Sequence, residues 1–325
     1  MVVNNAEDLI KQQFENTLKE TNFEGLGKLY RGKVRDNYIK EDNRIIIASD
    51  RLSSFDRVIT TIPFKGQMLN QISAFWFDKT SHIVKNHLID VPDPNVSVVH
   101  QCETIPVEMV VRAYITGSMW RAYKKGKPTS GIMPPEGMQK NQKLDEIIVT
   151  PSTKAESGHD IYLPKEEIIE REMVDEEIYE KMEEATVSLF KFGQDFCKKN
   201  GLILVDTKYE FGLLDGELIV IDEIHTQDSS RFWLAESYEE RFNAGEEPEI
   251  LDKEIFRGWL MDTYPDIFPH IKKDQEIPPI SDNIKIELAK RYMRSYERLT
   301  GKEFEPVVGA VTERIQKNLK EKNYL

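Results

Sequence analysis

The segment GLILVDTKYEFGLLDGELIVIDEIHTQDSSR, residues 201–231, decides how this chain is interpreted, because charged residues interrupt two apolar stretches. Asp206, Lys208 and Glu210 are each separated by a single residue. Successive side chains of a strand point to opposite faces, so these three charges share one face of the first predicted strand. Unpaired charges are expensive to bury, and we therefore expect this face to line a binding site.

The turn between the two predicted strands determines which side chains face each other. We expect a three-residue turn, Leu214-Asp215-Gly216, with its glycine in the left-handed conformation. In that register Lys208 lies opposite Asp222, and both side chains point to the same face. A two-residue turn, Asp215-Gly216, would bring Glu223 to that position instead.

One candidate carboxylate lies on the first predicted strand of this hairpin, and another follows the second. Glu210 and Asp222 supply oxygen ligands, and the segment contains no cysteine. Mg²⁺ is a hard cation that takes oxygen ligands and commonly bridges to nucleotide phosphates. The density of charged residues therefore favours a metal–phosphate site, with structural salt bridges as the alternative.

The composition of the chain excludes several classes of protein. Its 325 residues carry a formal net charge of -13, which argues against general nucleic-acid binding, because such binding needs clustered Lys and Arg. Cys102 and Cys197 lack the spacing of a disulfide framework or a zinc site. No apolar stretch approaches the length of a membrane span, and the first residues lack a signal-peptide pattern. We therefore expect a cytoplasmic protein without nucleic-acid or membrane partners.

Helical and strand patterns alternate along the chain and predict an α+β fold. We expect an N-terminal α+β domain with an antiparallel sheet over residues 1–107 and a second α+β domain over 108–325. Five prolines and four glycines between Lys124 and Pro164 predict a long loop with little regular structure. The clearest helix covers 175–201, and further helices are expected near 6–20, 67–84, 236–244, 252–263, 284–299 and 309–321.

Two segments in the N-terminal part carry further candidate residues. Residues 31–36, RGKVRD, place a glycine among three cations, which suits a polyphosphate, and a solvated basic hairpin is the alternative. Residues 49–56, SDRLSSFD, place hydroxyl and carboxylate groups at the end of a predicted strand, where ligands often bind. A capping or turn cluster explains the second segment equally well.

Two later segments also combine charge with a predicted binding position. Residues 106–118, PVEMVVRAYITGS, put Glu108 and Arg112 on one strand face before a predicted helix start, so Arg112 is a candidate phosphate clamp. A buried ion pair between these two residues is the structural alternative. Residues 153–160, TKAESGHD, place a lysine and an aspartate in the long loop, where a nucleotide contact competes with a surface loop of no function.

These segments together resemble one family, the phosphoribosylaminoimidazole-succinocarboxamide synthases, or SAICAR synthetases. The two most specific matches are IPVEMVVRAYITGS at 105–118 and LVDTKYEFG at 204–212. Three shorter segments occur in the family's order: GKVRD at 32–36, SDRLSSFD at 49–56 and DEIHTQDSSRFW at 222–233. The resemblance covers nearly the whole chain, with one departure, since family members usually carry proline where Gln227 stands.

The resemblance implies two α+β parts around an ATP cleft, related to ATP-grasp and kinase-like folds. It implies a ligase that joins L-aspartate to the carboxylate of the aminoimidazole ribonucleotide CAIR, with ATP cleaved to ADP and phosphate and with Mg²⁺ as the cofactor. A carboxylate is a poor electrophile, so transfer of the γ-phosphoryl group would give an acyl phosphate that the aspartate amine attacks. Catalysis would then depend on positioning and charge neutralisation.

The resemblance also implies a role for each matching residue. The catalytic residues would be Lys33, Lys208 and Asp222. The ATP-binding residues would be Gly32, Lys33, Arg35, Lys154, Asp206, Lys208, Glu210 and Asp222, of which Glu210 and Asp222 would hold Mg²⁺. The substrate-binding residues would be Ser53, Asp56, Arg112, Ser118, Asp160, Asp228 and Arg231. Those expected around the CAIR phosphate and ribose are Arg112, Ser118 and Arg231.

Two other functions compete with this interpretation. A different ATP-dependent phosphotransferase would phosphorylate an alcohol and would not need aspartate. A regulatory nucleotide-binding module would have lost catalysis, but Lys33, Glu210 and Asp222 are all present.

Overall fold

The computed structural model describes residues 3–154, 161–251 and 253–325, which form two compact units. Unit 1 comprises Met1–Phe75, Leu88–Gln101 and Leu251–Leu325, and unit 2 comprises Trp76–His87 and Cys102–Ile250. Both units are discontinuous in sequence, whereas the predicted domains divide the chain once, after residue 107. That division into independently folding domains stays a prediction.

Helices and antiparallel strand pairs confirm the α+β class. The strands are β1 (Lys28–Arg31), β2 (Arg35–Ile39), β3 (Asn43–Ala48), β4 (Arg51–Ser54), β5 (Arg57–Thr61), β6 (Leu88–Asp93), β7 (Val96–His100), β8 (Glu103–Tyr114), β9 (Lys143–Val149), β10 (Ser152–Thr153), β11 (Leu202–Leu214), β12 (Glu217–Ile221) and β13 (Ser230–Leu234). The helices are α1 (Val3–Gln13), α2 (Lys65–Thr80), α3 (Gly117–Tyr123), α4 (Lys165–Glu170), α5 (Glu176–Lys199), α6 (Ala235–Asn243), α7 (Glu254–Thr263), α8 (Asp282–Thr300) and α9 (Val311–Glu321). Within the described part of the chain, no helix is long and apolar enough to cross a membrane.

The five-stranded sheet of unit 1 has the order β1-β2-β3-β7-β6, and β4 and β5 pair separately as a hairpin. Ile45 and Ile47 of β3 are fully buried on one face of the sheet. They belong to the same apolar cluster as Val311, Ile315 and Leu319 of α9. The four-residue spacing of these three side chains places them on one stripe of the helix, which therefore covers this face of the sheet.

The sheet of unit 2 has the order β10-β8-β11-β12, with β9 paired to β8 and β13 paired to β11. Helix α5 packs against β8, β9, β11 and β12. The helix begins after Asp175, whose carboxylate accepts a hydrogen bond from the N–H of Glu177 at 2.9 Å. Gly201 follows the helix at φ 69°, a conformation that favours glycine. The chain then enters β11, which lies between three other strands, so the charged segment is central in the sheet.

Most predicted helices and strands are confirmed, but residues 124–164 contain structure that the pattern does not predict. Both β9 and β10 lie there and pair with β8. The strand β9 contains Ile147, Ile148 and Val149, which are β-branched residues that favour strands. The prolines and glycines of the segment flank β9 and do not interrupt it, which is why they obscured the strand. The hairpin β4–β5 is also present without having been predicted.

The hairpin of β11 and β12 has a two-residue turn, so the predicted three-residue turn is wrong. Leu214 pairs with Glu217, which leaves only Asp215 and Gly216 between the strands. These two residues have φ of 53° and 79°. Positive φ at both positions is typical of a type I′ turn, whose twist matches the twist of paired strands better than a longer turn does.

The observed turn also changes the residue opposite Lys208. The last pair of the ladder joins Glu210 to Ile221. Continued by two residues, this register would place Glu223 opposite Lys208, so the predicted pairing of Lys208 with Asp222 is wrong. The ladder ends at Ile221, and the position of Asp222 depends on the loop that follows.

Gly216→Ala tests the two-residue turn. A methyl group added at Gly216 would meet no atom within 4 Å, so the substitution acts through the backbone alone. Alanine is strained in the left-handed conformation, and we expect urea denaturation to show a loss of about 1 kcal/mol in the free energy of unfolding.

Gly258→Ala in α7 is the matched control, because a methyl group there would also meet no atom and the φ of Gly258 lies outside the left-handed region. Alanine favours a helix interior, so this variant should lose no stability. Equal behaviour of the two variants would contradict the type I′ turn.

Candidate functional site

Strands β8 and β11 bring charged side chains together on one face of the unit 2 sheet. The register pairs Asp206 with Arg112 and Glu210 with Glu108. Lys208 lies between the two pairs and contacts both glutamates. The predicted common face of Asp206, Lys208 and Glu210 is confirmed, and we call these five residues the charged row.

At one end of the charged row, lysines hold two buried glutamates. The Nζ of Lys208 lies 2.5 Å from Oε1 of Glu108 and 3.3 Å from Oε1 of Glu210. Lys154 forms an ion pair with Oε2 of Glu210. Both glutamates are almost fully buried, at 7% and 5% exposure. Removing either lysine would leave a buried carboxylate with less compensation, which is strongly destabilising.

The same contacts keep these groups ionised. Burial opposes the charge of Glu210, but Lys208 and Lys154 outweigh burial and hold the pKa of that carboxyl below its ordinary value. Burial also opposes the charge of Lys208, but Glu210, Glu108 and Asp222 raise the pKa of Lys208 above its ordinary value. Lys208 is therefore a permanent cation at neutral pH, suited to binding anions and unsuited to accepting a proton.

Asp222 reaches this end of the row from the exit loop that follows β12. Its φ is 67°, so its side chain no longer follows the alternation of the strand. Its charge acts on Lys208, as the raised pKa of that lysine shows. Sequence reasoning thus brought Asp222 to the correct neighbour through an incorrect register.

Glu210 and Asp222 form the candidate metal centre. Across the described ranges, no group of three His, Cys, Asp or Glu side chains is placed to hold a metal ion by itself. Mg²⁺ commonly binds through one or two carboxylates, with phosphate oxygens and water as its remaining ligands. In the described part of this site, the three carboxylates of Glu108, Glu210 and Asp222 and the two lysines carry one net negative charge. The donor set therefore fits a divalent cation that brings phosphate ligands with it.

The other end of the charged row carries an excess of positive charge. Oδ2 of Asp206 accepts hydrogen bonds from Nη1 of Arg112 at 3.2 Å and from Nη1 of Arg231 at 2.6 Å. Among the described residues, two guanidinium groups share this one carboxylate, which gives them together a net charge of +1. Among the described residues, Glu108 pairs with Lys208 and Arg112 pairs with Asp206, instead of the Glu108–Arg112 pair of the structural alternative.

Arg112 is fixed by side chains on several sides. Its Nε donates to Oγ1 of Thr150 at 2.9 Å, and its Nη2 donates to Oγ of Ser118 at 3.2 Å and to the hydroxyl of Tyr162 at 3.0 Å. Only 2% of the residue is exposed. Arg112 therefore organises this end of the row, and Thr150 and Tyr162 are functional candidates that sequence reasoning missed. Neither residue stands in a charged or repeated pattern that would have identified it.

Arg231 is the more accessible arginine, with 21% of its side chain exposed. It lies on β13, beside the start of α3. A methyl group added at Gly117 would lie 2.7 Å from the nearest guanidinium nitrogen of Arg231, and Gly117 has φ 56°. Glycine is therefore required here both by its backbone conformation and by the close approach of the arginine. Ser118 follows directly and shares a hydrogen bond with Tyr162 at 2.8 Å.

The exit loop is organised by a buried threonine. Oγ1 of Thr226 donates to Oε2 of Glu223 at 2.7 Å, and the same oxygen accepts the N–H groups of Asp228 and Ser229, both at 3.3 Å. Gln227 is 1% exposed, so this residue, which stands where the resemblance leads us to expect proline, is buried. Asp228 is half-buried beside it.

Unit 1 brings the other predicted residues together at two turns. Nζ of Lys33, in the β1–β2 turn, lies 2.6 Å from Oδ1 of Asp56, in the β4–β5 turn, and both side chains are more than half exposed. The N–H of Gly32 donates to the carbonyl of Arg35 at 2.8 Å and closes the first turn. Ser53 is half-buried on β4. An exposed ion pair contributes little to stability, so Lys33 can exchange its partner for a ligand.

Arg51 holds the β1–β2 turn in place through hydrogen bonds to its carbonyl groups. It was not among the predicted site residues. Its guanidinium donates to the carbonyls of Lys33 at 2.9 Å and Gly32 at 3.1 Å, and to Oδ1 of Asp36 at 2.8 Å. Asp36 is 1% exposed and also accepts the N–H of Thr21 at 2.6 Å. The charged residues of GKVRD and SDRLSSFD thus divide into buried supports and exposed candidates, a distinction that requires the tertiary structure.

Asp160 lies outside the described residues, and its predicted contact with substrate stays a prediction. Lys154 lies on the near side of that gap and is described through its pairing with Glu210.

Comparison with known proteins identifies what the chain is similar to. The family model described as SAICAR synthetase matches residues 28–270. A phosphoribosylaminoimidazole-succinocarboxamide synthase from Bacteroides fragilis is 46% identical over 308 residues, which cover 93% of this chain and 97% of the relative.

Two solved structures extend this similarity to the fold. The SAICAR synthase from Saccharomyces cerevisiae complexed with SAICAR has a TM-score of 0.76 and 32% identity, covering 89% of this chain and 100% of that one. A SAICAR synthetase in complex with ADP has a TM-score of 0.66 and 25% identity, covering 86% and 100% of the two chains.

His225 of the exit loop predicts a specific dependence of stability on pH. The imidazole is fully buried, and burial lowers the pKa of His225 to about 3. Between pH 7 and pH 5 the unfolded chain gains a proton at this residue, with a pKa of about 6.5, and the folded chain does not. We therefore expect the native protein to lose about 2 kcal/mol more of its unfolding free energy over this interval than His225→Phe loses.

Urea denaturation at several pH values measures this difference. The exposed His100→Phe is the control and should retain the pH dependence of the native protein. A native-like slope in His225→Phe would contradict a buried, neutral imidazole.

Proposed function

The chain belongs to the SAICAR synthetase family, and from this premise we propose that it joins L-aspartate to the carboxylate of CAIR and cleaves ATP to ADP and phosphate. The family's enzymes are ligases that form a C–N bond in purine biosynthesis, and this chain is such a ligase. We propose in addition that the protein is cytoplasmic.

The reaction proceeds in two steps. A CAIR carboxylate oxygen attacks the γ-phosphorus of ATP, which forms an acyl phosphate and releases ADP. The amine of L-aspartate then attacks the acyl carbon, the C–O bond to phosphate breaks, and the amine loses a proton as the amide forms. Neither step requires a protein nucleophile, so the protein contributes mainly position and charge.

The opposite charges at the two ends of the charged row are the observation that carries the proposal. Glu210 and Asp222 lie at the negative end, and Arg112 and Arg231 lie at the positive end. Asp206 and Glu210 are four residues apart on β11, a separation of about 13 Å along the strand. The row therefore offers a site for the Mg²⁺ of the nucleotide at one end and a site for the phosphate of CAIR at the other. A phosphotransferase that acts on a neutral alcohol would not need the second site.

The negative end is assigned to the nucleotide. Mg²⁺ bound there would neutralise charge on the transferred phosphoryl group. Glu210 and Asp222 would hold the ion, and Lys208 supplies a fixed positive charge beside them. Lys154, with 42% of its side chain exposed, exchanges Glu210 for a phosphate oxygen when ATP binds.

The positive end is assigned to the phosphate of CAIR. Arg231, with 21% of its side chain exposed, contacts that phosphate, while Arg112 holds Asp206 and Ser118 in place. A guanidinium suits this role because it can donate two parallel hydrogen bonds to a phosphate. Asp228 of the exit loop is assigned to the imidazole of CAIR.

The unit 1 turns are assigned to the remaining ligand groups. Lys33, with the backbone of Gly32 and with Arg35, contacts ATP phosphates, supported by the observation that the Lys33–Asp56 pair is exposed and exchangeable. Asp56, together with Ser53, is assigned to CAIR or to aspartate.

Incubation of the protein with ATP, Mg²⁺, CAIR and L-aspartate tests the function. We expect mass spectrometry to detect the succinocarboxamide, and ADP release to require both CAIR and aspartate. Asp222→Asn removes one charge with little change in shape, and should lower turnover by about 100-fold or more if it positions the metal.

Asp215→Asn is the matched control for this substitution, because Asp215 lies in the β11–β12 turn and Asn also suits positive φ there. Its turnover should equal that of the native protein. Absence of the succinocarboxamide with native protein would defeat the proposed function.

Arg231→Lys tests the assignment of the CAIR phosphate. The variant keeps the charge but loses the paired donors, so we expect the KM for CAIR to rise about 10-fold while the KM for ATP stays within about two-fold. Arg241→Lys on α6 is the control and should leave both KM values unchanged. Equal increases in the two KM values for Arg231→Lys would reject the assignment.

A further inference from the structure

Tyr209 connects the charged row to the opposite face of the sheet. It lies between Lys208 and Glu210 on β11, so its side chain points away from the row and toward the side covered by α5. The residue is fully buried, and its hydroxyl forms a hydrogen bond with Nε2 of His225. This contact ties the exit loop to the strand that carries the charged residues.

The imidazole of His225 occupies a slot that a glycine of α5 leaves open. A methyl group added at Gly193 would lie 2.3 Å from Cε1 of His225, closer than real contacts allow. The ring of Trp76 packs edge-on against the imidazole, with 4.5 Å between ring centroids. Glycine in a helix interior is less stable than alanine, so Gly193 is explained by the space that His225 needs.

His225 also lies at the centre of the exit loop. It is three residues after Asp222 and three residues before Asp228, and both His225 and Asp222 have positive φ, at 49° and 67°. Non-glycine residues persist in this conformation only where the surrounding contacts hold them. The hydrogen bonds of Thr226 and the enclosed imidazole of His225 are among the contacts that hold this loop.

We propose that His225, seated against Gly193 and bonded to Tyr209, is a positioning residue that places Asp222 for Mg²⁺–nucleotide binding from the face of the sheet opposite the charged row. The proposal rests on the proposed function, since it assigns Asp222 to the metal. Tyr209, His225 and Gly193 touch neither ligand in this arrangement. They determine where the loop leaves β12 and therefore where the carboxylate of Asp222 points.

Two substitutions disturb the contacts of His225 with Gly193 and Tyr209 without changing a residue of the charged row. Gly193→Ala pushes the imidazole from its slot, and Tyr209→Phe removes the hydrogen bond and keeps the ring. Isothermal titration calorimetry measures the affinity for ADP with and without Mg²⁺. Loss of a supporting contact commonly weakens metal binding by about 10-fold or more.

We expect both variants to lose about 10-fold of the increase in ADP affinity that Mg²⁺ provides, with the Mg²⁺-free affinity unchanged within about two-fold. Hydrogen exchange of the amides at 222–230 should accelerate in both variants. Gly258→Ala again serves as the control for a glycine-to-alanine change in a helix, and should alter neither quantity. If Gly193→Ala does not fold, Tyr209→Phe alone decides the outcome.

A purely structural role predicts a different result. The variants would then lose thermal stability while their Mg²⁺-dependent ADP affinity, measured well below the melting temperature, stayed at the native level, and that result would overturn the proposal. Failure of the proposed function is distinguishable, because the native protein itself would then form no succinocarboxamide, whatever the ADP titrations of the variants show.

Discussion

The pairing of β8 with β11, with Lys208 held between Glu108 and Glu210, is the contact on which the chemistry of unit 2 depends. Buried charges are tolerated only when they are paired, so this contact constrains the strand register as strictly as the apolar residues do. A shift of one residue would turn Lys208 toward α5 and bring Tyr209 onto the charged face. The relative positions of Glu108, Glu210, Asp206 and Arg112 follow from this single register.

The two units use a common arrangement, in which a buried arginine fixes the position of a more exposed cation. In unit 1, Arg51 holds the carbonyls of the turn that presents Lys33. In unit 2, Arg112 holds Asp206, which in turn orients Arg231. Each buried arginine donates several hydrogen bonds, which hold the neighbouring groups in place. In unit 1 the Lys33–Asp56 pair is exposed, so Lys33 loses little when it exchanges Asp56 for an anion.

Sequence patterns predicted those helices and strands in which the spacing of apolar residues and the terminal residues indicate the same structure. Helix α5 has a capping aspartate, an apolar stripe and a terminal glycine, and its predicted range of 175–201 is close to the observed Glu176–Lys199. The strand β9 escaped prediction because turn residues surround it. The register of the hairpin was predicted incorrectly because the choice between two and three turn residues depends on strand twist, which a short sequence does not specify. Asp222 still raises the pKa of Lys208 through its charge, because its position depends on the exit loop and not on the strand ladder.

The sequence by itself determined the family, the α+β class and the common face of Asp206, Lys208 and Glu210, because motifs and side-chain periodicity are local properties of the chain. The tertiary structure decided which charges are supports and which are exposed: Arg51 and Arg112 are buried, whereas Lys33 and Arg231 reach solvent. It also decided that Gly193 leaves room for His225, which the apolar spacing of α5 does not indicate. Burial and pairing arise from contacts between residues far apart in sequence, and no local pattern contains them.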